Sequence, residues 1–406
     1  MKAIAVIGAN YGDEGKGLMV DYFARQMRDA LVVRFNGGAQ AGHTVVDPDN
    51  VRHVFHHFGS GTLAGNPTYL SKCFVLNPFL FVEELQKALE FLNPTVYVDS
   101  RCPVTTHYDI AMNHILELRR VEESGENGRH GSCGIGINET IVRSEQMTDS
   151  NGTPLQLFHW IYHDKEKLFD KIQNYFLERI GNVPRNEKES RIYAGVFSEA
   201  MKSQFIRSFN AMTGRIRIMS PNMTKCPIIF EGAQGLLLDQ NNMQDFPHLT
   251  RSNTGIDNVL DLLATEFKYI KDVDVVYVTR PYLTRHGAGP LPNEQPISLK
   301  NNEKETNVTN EFQQHFRYAP FDMQQFIERT NADYRKAVKA YLRQGFTKRL
   351  AMTCLDQVTD HFPVIIGDQV DTISDIGALM HHYEALFDYK SYGPSSKDVV
   401  KSGWIK

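Results

Sequence analysis

The sequence has few cysteines, no long hydrophobic run and no excess of basic charge. No apolar stretch approaches the length needed to cross a bilayer, and residues 1–9 are too few for a secretory signal. The cysteines form no CxxC pair, which argues against a disulfide framework or a zinc site and favours a reducing compartment. They are Cys73, Cys102, Cys133, Cys226 and Cys354. We therefore expect a soluble, cytoplasmic protein with no membrane partner.

The charge balance argues against a broad nucleic-acid-binding face. The 406 residues carry a formal net charge of −4, whereas nucleic-acid-binding domains present a basic surface. Small anionic ligands remain compatible with this balance because they need only a local positive site. Hydrophobic residues make up 41% of the chain, and no linker-like stretch divides it. We predict a single domain over residues 1–406 with a helical insertion at about 145–225.

Apolar stretches that read as strands alternate with helical patterns along the chain. Several of these stretches end in polar or glycine-rich loops, at residues 10–17, 36–44, 131–136, 231–235 and 279–289. The alternation predicts an α/β fold with a largely parallel central sheet flanked by helices. Ligands bind beyond the carboxyl ends of strands in such sheets. We therefore expect these loops to line one site.

The first of these loops has the composition of a phosphate-binding turn. A predicted strand is followed by Gly12, Asp13, Gly15, Lys16 and Gly17, and then by helical spacing. Glycines let the backbone approach a phosphate, a helix N-terminus favours an anion, and Lys16 adds a point charge. The spacing does not match the GxxxxGK[ST] loop. Asp13 would either hold Mg²⁺ against phosphates or take a proton from a substrate. A plain structural turn with a surface lysine is the alternative.

Five segments resemble, in order, motifs of the adenylosuccinate synthetase family. The segments are Gly12–Gly17 (GDEGKG), Asn36–Thr44 (NGGAQAGHT), Phe230–Asp239 (FEGAQGLLLD), Phe246–Thr254 (FPHLTRSNT) and Thr284–Pro292 (TRHGAGPLP). The family pattern is NGGxNAGHT at the second of these segments and TRVGAGPFP at the last. The resemblance implies an architecture related to P-loop GTPases, and it is poor in the last quarter of the chain.

The resemblance implies a ligase that works in two steps. A nucleoside triphosphate phosphorylates the 6-oxygen of a purine nucleoside monophosphate, and the amine of L-aspartate then displaces that phosphate. Asp13 matches the family's base for the N1 proton, and His43 matches a donor to the transferred phosphoryl group. Lys16 belongs to the loop that binds this group. Mg²⁺ is implied as the cofactor, with Asp13 and the Gly42 carbonyl as ligands.

The resemblance also implies nucleotide-binding residues and a homodimer. Arg143 matches an arginine that reaches the nucleotide of a neighbouring subunit. For two other positions we keep structural alternatives, a core histidine at His43 and a strand-end cap at Gln234. The predicted nucleotide-binding residues are Gly12, Gly15, Lys16, Gly17, Gln40, Gly42, His43, Thr44, Ser132, Arg143, Gln234, Thr250, Arg317 and Asp356.

Three departures from the family pattern bear on the substrates. Only Arg317 remains of an arginine cluster that binds aspartate, so our candidates for that role are Thr309, Asn310 and Arg317. Cys354 replaces a lysine beside the base of the donor nucleotide, while Asp356 is kept, so ATP and GTP both stay open as donors. In the third departure, Ser132 stands in for a threonine at the phosphate of the substrate.

The departures resemble the phage branch of the superfamily, which makes 2-aminoadenylosuccinate from dGMP. Segments Gly131–Gly136 and Tyr392–Ser395 carry this likeness, whereas Asp13 opposes it because that branch typically has serine or glycine there. We favour a phage-type enzyme acting on (d)GMP, in the host cytoplasm if phage-encoded. An adenylosuccinate synthetase acting on IMP is the alternative, and a weakly catalytic nucleotide-binding homologue is a further one.

Overall fold

A computed structural model describes most of the chain. The predicted aspartate-binding residues Thr309 and Asn310 lie outside the described residues. The described ranges are 1–88, 92–128, 130–219, 225–303, 316–340, 342–367, 369–374, 377 and 386–402.

Strands and helices alternate through the described residues. The strands are β1 (Lys2–Gly8), β2 (Leu31–Arg34), β3 (His43–Val46), β4 (Arg52–Phe55), β5 (Thr68–Leu70), β6 (Val96–Val98), β7 (Ile216–Ile218), β8 (Ile228–Gly235), β9 (Asp272–Thr279), β10 (Tyr282–His286), β11 (Phe316–Asp322), β12 (Gly345–Met352), β13 (Phe362–Ile366), β14 (Gln369–Ile373), β15 (Tyr389–Ser391) and β16 (Val399–Lys401). The α-helices are α1 (Lys16–Gln26), α2 (Pro78–Ala88), α3 (His107–Ser124), α4 (Ile137–Gln146), α5 (Leu157–Tyr162), α6 (Lys165–Ile180), α7 (Glu187–Val196), α8 (Glu199–Thr213), α9 (Asp257–Thr265) and α10 (Met323–Lys339). Short 3₁₀ turns cover Ser60–Ala64, Gly125–Gly128, Leu236–Leu238, Met243–Asp245, Leu355–Gln357 and Ser396–Asp398.

The central sheet has the strand order β16-β15-β12-β9-β1-β8-β2-β5-β6-β7. Every neighbouring pair runs parallel except β15 with β16, which is antiparallel. The prediction of a largely parallel central sheet flanked by helices is therefore confirmed. A smaller sheet with the order β10-β11-β13-β14 and the hairpin β3-β4 complete the strand pairings within the described ranges.

The centre of the sheet is buried on both faces, which explains why its strands read as continuous apolar runs. Along β1, Ala3, Ala5 and Ile7 pack into one core with residues of α9 and α10, while Ile4 and Val6 pack into another with α1. Successive strand residues point to opposite faces, so helices on both faces are needed to cover them. The polar loops therefore extend from strands that are packed by side chains on both faces of the sheet.

A third core lies in the helical part of the chain. Helices α5–α8 fall inside the span predicted as an insertion, and their aromatic side chains pack together with residues of α2 and α3. The division of the chain into one domain with an insertion stays a prediction. Among the helices that the structure describes, none has the length and apolar character of a membrane span.

Candidate active site

A cavity of about 910 Å³ opens at the carboxyl ends of β1, β2, β8, β9 and β12. Its volume is that of a site for small-molecule ligands, and its position is the one expected for an open parallel sheet. The predicted site residues that line it are Gly12, Asp13, Gly15, Lys16, Gly17, Gln40, Gly42, His43, Thr44, Ser132, Gln234, Thr250 and Asp356. The structure thus brings together residues from nearly the whole length of the sequence, from Gly12 to Asp356.

The loop between β1 and α1 satisfies N–H groups of its own and leaves those at the start of α1 without a partner in the loop. Gly12, Asp13 and Gly15 have positive φ angles of 102°, 61° and 85°. The Glu14 carboxylate folds back and accepts hydrogen bonds from the N–H groups of Asn10 (2.9 Å) and Gly12 (2.8 Å). Gly15 is the N-cap of α1 and supplies no side-chain cap. The first N–H groups of α1 are therefore left for an anion.

Lys16 is held inside the protein rather than on its surface. Its Nζ lies 2.7 Å from Oε2 of Glu14, and the two side chains are 4% and 2% exposed. An unpaired buried ammonium would be strongly unfavourable, so Glu14 stabilises the charge at the cavity wall. This placement excludes the alternative of a surface lysine.

His43 is held by a buried carboxylate that the sequence analysis did not assign. Its Nδ1 lies 2.5 Å from Oε1 of Glu231, in the middle of β8. The backbone N–H of Ser60 donates to Oε2 of Glu231 (2.9 Å), and the Ser60 hydroxyl donates to Oε1. Glu231 lies within the quoted FEGAQG segment, but nothing in the local sequence pairs it with a histidine 188 positions away.

The pKa shifts of His43 and Glu231 indicate which atom of the pair carries the proton. Burial and the nearby Arg34 lower the pKa of His43, against the attraction of Glu231. Burial favours the neutral form of Glu231, but His43, Arg34 and Ser60 outweigh it and lower the pKa of this carboxyl to about 2. At neutral pH His43 therefore donates Nδ1–H to a carboxylate. Its buried Nε2 has no partner among the described residues, and the side chain lines the cavity.

Gln40 and Gln234 present polar groups that the described residues do not satisfy. Both amide atoms of Gln40 and Oε1 of Gln234 are buried without a hydrogen-bond partner there. Buried polar atoms in native proteins normally have partners, so a cluster of unsatisfied ones in a cavity indicates a ligand. This observation disfavours Gln234 as a strand-end cap.

The glycine-rich loop at residues 131–136 packs against α3. The Ser132 hydroxyl donates to Oδ1 of Asn113 (3.1 Å). Gly136, the N-cap of α4, has a φ of 76°, and a Cβ there would lie 2.8 Å from backbone atoms of Asp109 and Ile110. Only glycine fits this position. The N-terminus of α4 consequently meets the cavity wall beside Ser132.

Asp13 and the Gly42 backbone offer oxygen ligands on the same cavity. Within the described ranges no cluster of three or more His, Cys, Asp or Glu side chains is arranged to hold a metal. Mg²⁺ usually keeps several waters and takes one or two carboxylates together with substrate phosphates. The donors present therefore fit a Mg²⁺ ion that arrives with a nucleotide.

Two of the predicted binding residues, Arg143 and Arg317, do not line the cavity. Arg143 is fully buried on α4, where Nε and Nη2 donate to the two carboxylate oxygens of Asp109 at 2.7 and 2.9 Å. It joins α4 to α3 and has no exposed surface with which to reach a nucleotide of another subunit. Arg317 is also not among the residues that line the cavity. Its Nη1 pairs with Glu294 (2.7 Å), and its Nη2 donates to the Gly289 carbonyl (2.6 Å). The motif spacing alone did not reveal these internal partners.

The far part of the sequence also contributes to the cavity. Cys354, with a φ of 57°, and Asp356 follow β12, and Tyr392, Gly393 and Pro394 follow β15. Burial raises the pKa of the Asp356 carboxyl. Cys354 is one of the departures from the family pattern, and Tyr392, Gly393 and Pro394 belong to the segment that resembles the phage branch. They line the same cavity as the matching motifs.

The fold and the site define a nucleotide-dependent α/β enzyme with a phosphate loop and a buried acid–histidine pair. The family profile described as adenylosuccinate synthetase matches residues 5–358. The chain belongs to the adenylosuccinate synthetase family and is a C–N ligase of purine biosynthesis.

Individual relatives agree with this assignment. The adenylosuccinate synthetase of Borrelia turicatae is 30% identical over 313 residues, which are 75% of this chain and 68% of the relative. That of Marinomonas sp. is 31% identical over 305 residues, covering 72% and 65% of the two chains. That of Kluyveromyces lactis is 29% identical over 318 residues, covering 76% and 69%. The matches span about two thirds of these relatives.

Two solved structures share the fold over nearly the whole chain. Fully ligated adenylosuccinate synthetase from Plasmodium falciparum superposes with a TM-score of 0.71 at 18% identity, covering 99% of this chain and 100% of the other. Cyanophage S-2L succinoaminodeoxyadenylate synthetase (PurZ), bound to dGMP and dATP as an energy donor, gives a TM-score of 0.59 at 16% identity, covering 98% and 95%. At these identities the likeness concerns the fold alone.

Proposed function

We propose that this ligase joins L-aspartate to the 6-position of (d)GMP, with ATP or GTP as the phosphoryl donor. The observation that carries the choice of substrate is the position of the two departures expected at the nucleotides and of the segment that resembles the phage branch. Ser132, Cys354 and Tyr392–Pro394 all line the one cavity, whereas Arg317, from the departure expected at aspartate, does not. Divergence concentrated on a ligand-contacting wall supports a changed ligand, and the S-2L relative is a family-fold enzyme that holds dGMP.

In the first step the 6-oxygen of the purine attacks the γ-phosphorus of the donor. Asp13 takes the N1 proton, which makes the 6-oxygen nucleophilic, and the donor leaves as the diphosphate. The N–H groups at the start of α1 and Lys16 bind the transferring phosphoryl group. Mg²⁺, held by Asp13 and the Gly42 carbonyl, would supply charge neutralisation on the phosphates.

In the same step His43 donates a hydrogen bond to the phosphoryl oxygens. Since Nδ1–H is bonded to Glu231, donation from Nε2 requires a proton on that atom as well. An arriving phosphate raises the pKa of the imidazole by placing negative charge beside it. We therefore propose that His43 takes up a proton as the phosphates bind and acts as a cationic donor backed by Glu231.

In the second step the amine of aspartate displaces the 6-phosphate. The products are inorganic phosphate and a succinylamino purine nucleotide. The amine gives up one proton as it bonds to C6, N1 ends unprotonated as in a 6-aminopurine, and the proton held by Asp13 leaves with the phosphate. We propose Gln40, Gln234, Thr250 and Ser132 as residues that bind the monophosphate substrate. We propose that Thr309, Asn310 and Arg317 bind aspartate. Arg317 would release Glu294, a solvent-exposed partner, and pair with a carboxylate of aspartate instead.

Asp13 favours a second candidate, adenylosuccinate synthesis from IMP. The phage-type branch typically lacks this carboxylate, and this chain retains it on the cavity wall. A non-catalytic nucleotide-binding protein is disfavoured, because it has no need for Asp13, Lys16 and a carboxylate-held His43 in one cavity.

A substrate matrix separates these functions. The purified protein receives Mg²⁺, L-aspartate and each pairing of IMP, dIMP, GMP or dGMP with ATP or GTP, and chromatography detects the succinylated nucleotide. Product from dGMP supports the proposal, and product from IMP alone establishes the second candidate. Absence of product and of phosphate release from every pairing leaves a binding protein.

The assembly and location that the family implies are also proposals. We propose a homodimer that acts in the cytoplasm and takes no nucleic acid as partner. Sedimentation of the purified protein tests the dimer, and a monomer at micromolar concentration contradicts it.

A further inference from the structure

Strand β10 supports the phosphate loop at two points. The Thr284 hydroxyl donates to the Gly12 carbonyl at 3.4 Å, and Nε2 of His286 lies 3.4 Å from Oδ2 of Asp13. Residues two apart on a strand share a face, so both side chains meet the loop from the same side. The family pattern TRVGAGPFP has valine where this chain has His286. A titratable ring therefore stands beside the proposed base in place of an apolar side chain.

The imidazole of His286 is held in place by the neighbouring strand. The β10–β11 register pairs His286 with Phe316, and their ring centroids are 4.6 Å apart. The side chain of His286 is 19% exposed and lines the cavity. A ring packed in this way presents one edge to Asp13 and has little freedom to turn away.

The surroundings of the two ring nitrogens favour one tautomer. Nδ1 is buried and has no hydrogen-bond partner among the residues that the structure describes. A buried N–H without an acceptor is less tolerable than a bare nitrogen, so the proton of a neutral ring belongs on Nε2. Nε2 is the atom that faces the Asp13 carboxylate, and carboxylates accept hydrogen bonds from N–H groups.

We propose that His286 is a positioning residue for Asp13. Its Nε2–H bonds to Oδ2 of Asp13 and leaves Oδ1 directed at the N1–H of the purine. The inference rests on the proposed function, in which Asp13 takes that proton. Without such a donor the carboxylate turns over a broad range about its terminal torsion. The 3.4 Å separation is longer than an ordinary hydrogen bond, and bonds of this kind tighten when a substrate closes the site.

A pair of substitutions at this position tests the role. His286→Val restores the family residue and packs against Phe316, so the fold is preserved, whereas His286→Gln keeps an N–H donor of similar reach. We expect His286→Val to lower kcat about tenfold or more with KM for the nucleotide nearly unchanged, since one bond to a charged group is lost. We expect His286→Gln to restore most of kcat. A kcat for His286→Val within about twofold of the wild type overturns the proposal, and so does a His286→Gln variant as impaired as the valine variant.

A second measurement does not depend on turnover. Nitrogen NMR of the intact protein with isotopically labelled histidine reports the tautomer, and the His286 signal is identified by its absence from the His286→Gln spectrum. We expect the neutral ring to be the Nε2–H tautomer, and the Nδ1–H tautomer contradicts the inference. A wild-type protein that is inactive with every purine nucleotide refutes the proposed function instead, and the tautomer still decides whether His286 can donate to Asp13.

Discussion

Replacing Glu231 by glutamine tests how His43 is charged. Glu231 accepts three donors, namely His43 Nδ1–H, the Ser60 N–H and the Ser60 hydroxyl. A glutamine has one oxygen, and the fixed Ser60 N–H requires it. The NH₂ group then faces His43, where only a bare Nδ1 can accept from it. The Glu231→Gln variant therefore holds His43 as a neutral Nε2–H donor.

The expected effect follows from the loss of the cationic donor. Hydrogen bonds from charged donors contribute about 1–2 kcal/mol more than neutral ones, which corresponds to a fall in kcat of about 5- to 30-fold. KM for the nucleotide should change little, because the bond strengthens as charge develops on the phosphoryl group. Continuous detection of phosphate release at saturating substrates measures both constants.

Ser60→Ala is the matched control for this prediction. It removes one donor to Glu231 but keeps the contact between His43 and the carboxylate, so we expect a smaller fall in kcat. Circular dichroism and the melting temperature show whether each variant is folded. A folded Glu231→Gln variant with a kcat within twofold of the wild type refutes the cationic-donor account.

Three further outcomes follow from particular contacts. Asp13→Ala should abolish nucleotide-dependent phosphate release because the N1 proton keeps the 6-oxygen weakly nucleophilic, and substantial remaining turnover places the base elsewhere. Gly15→Ala should lower the free energy of unfolding in urea by about 1–3 kcal/mol, since the φ of 85° is strained for alanine and its Cβ would lie 2.8 Å from Oγ1 of Thr353; an unchanged unfolding midpoint contradicts this. Burial lowers the pKa of His107 to about 4, below the unfolded value of about 6.5. The native state then binds fewer protons, so His107 should destabilise the protein by about 3 kcal/mol as the pH falls from 7 to 4, and His107→Phe should remove that part of the loss. Equal acid sensitivity of the two proteins excludes His107 as its source.

The sheet and the phosphate loop were predictable because their signals are local. The apolar run of β1 followed by glycines and helical spacing specifies strand, loop and helix within about twenty residues of sequence. The same holds for the ends of β2, β8 and β9, whose polar loops converge because parallel strands share a carboxyl edge. Motif order then identified the family without any knowledge of distances.

The partners of individual side chains were not predictable, because they are set by tertiary packing. Arg143 sits at a position that matches a ligand-binding arginine, yet Asp109, 34 positions earlier, holds its guanidinium inside the protein. Glu231 lies in a recognised motif, but its contact with His43 joins β8 to the start of β3, a strand that pairs with β4 and not with β8. His286 lies in the segment Thr284–Pro292, and the sequence assigned no role to it. Its approach to Asp13 arises from the packing of β10 against the loop between β1 and α1.

Ligation through a 6-phosphoryl intermediate is tested most directly by following the 6-oxygen itself. A purine nucleotide labelled at the 6-oxygen with a heavy isotope is incubated with the protein, Mg²⁺, L-aspartate and ATP or GTP. Mass spectrometry then locates the label. Transfer through a 6-phosphoryl intermediate predicts that the label appears in inorganic phosphate in equal amount to the succinylated product, with dGMP as the preferred substrate. Phosphate that forms without the label contradicts the account.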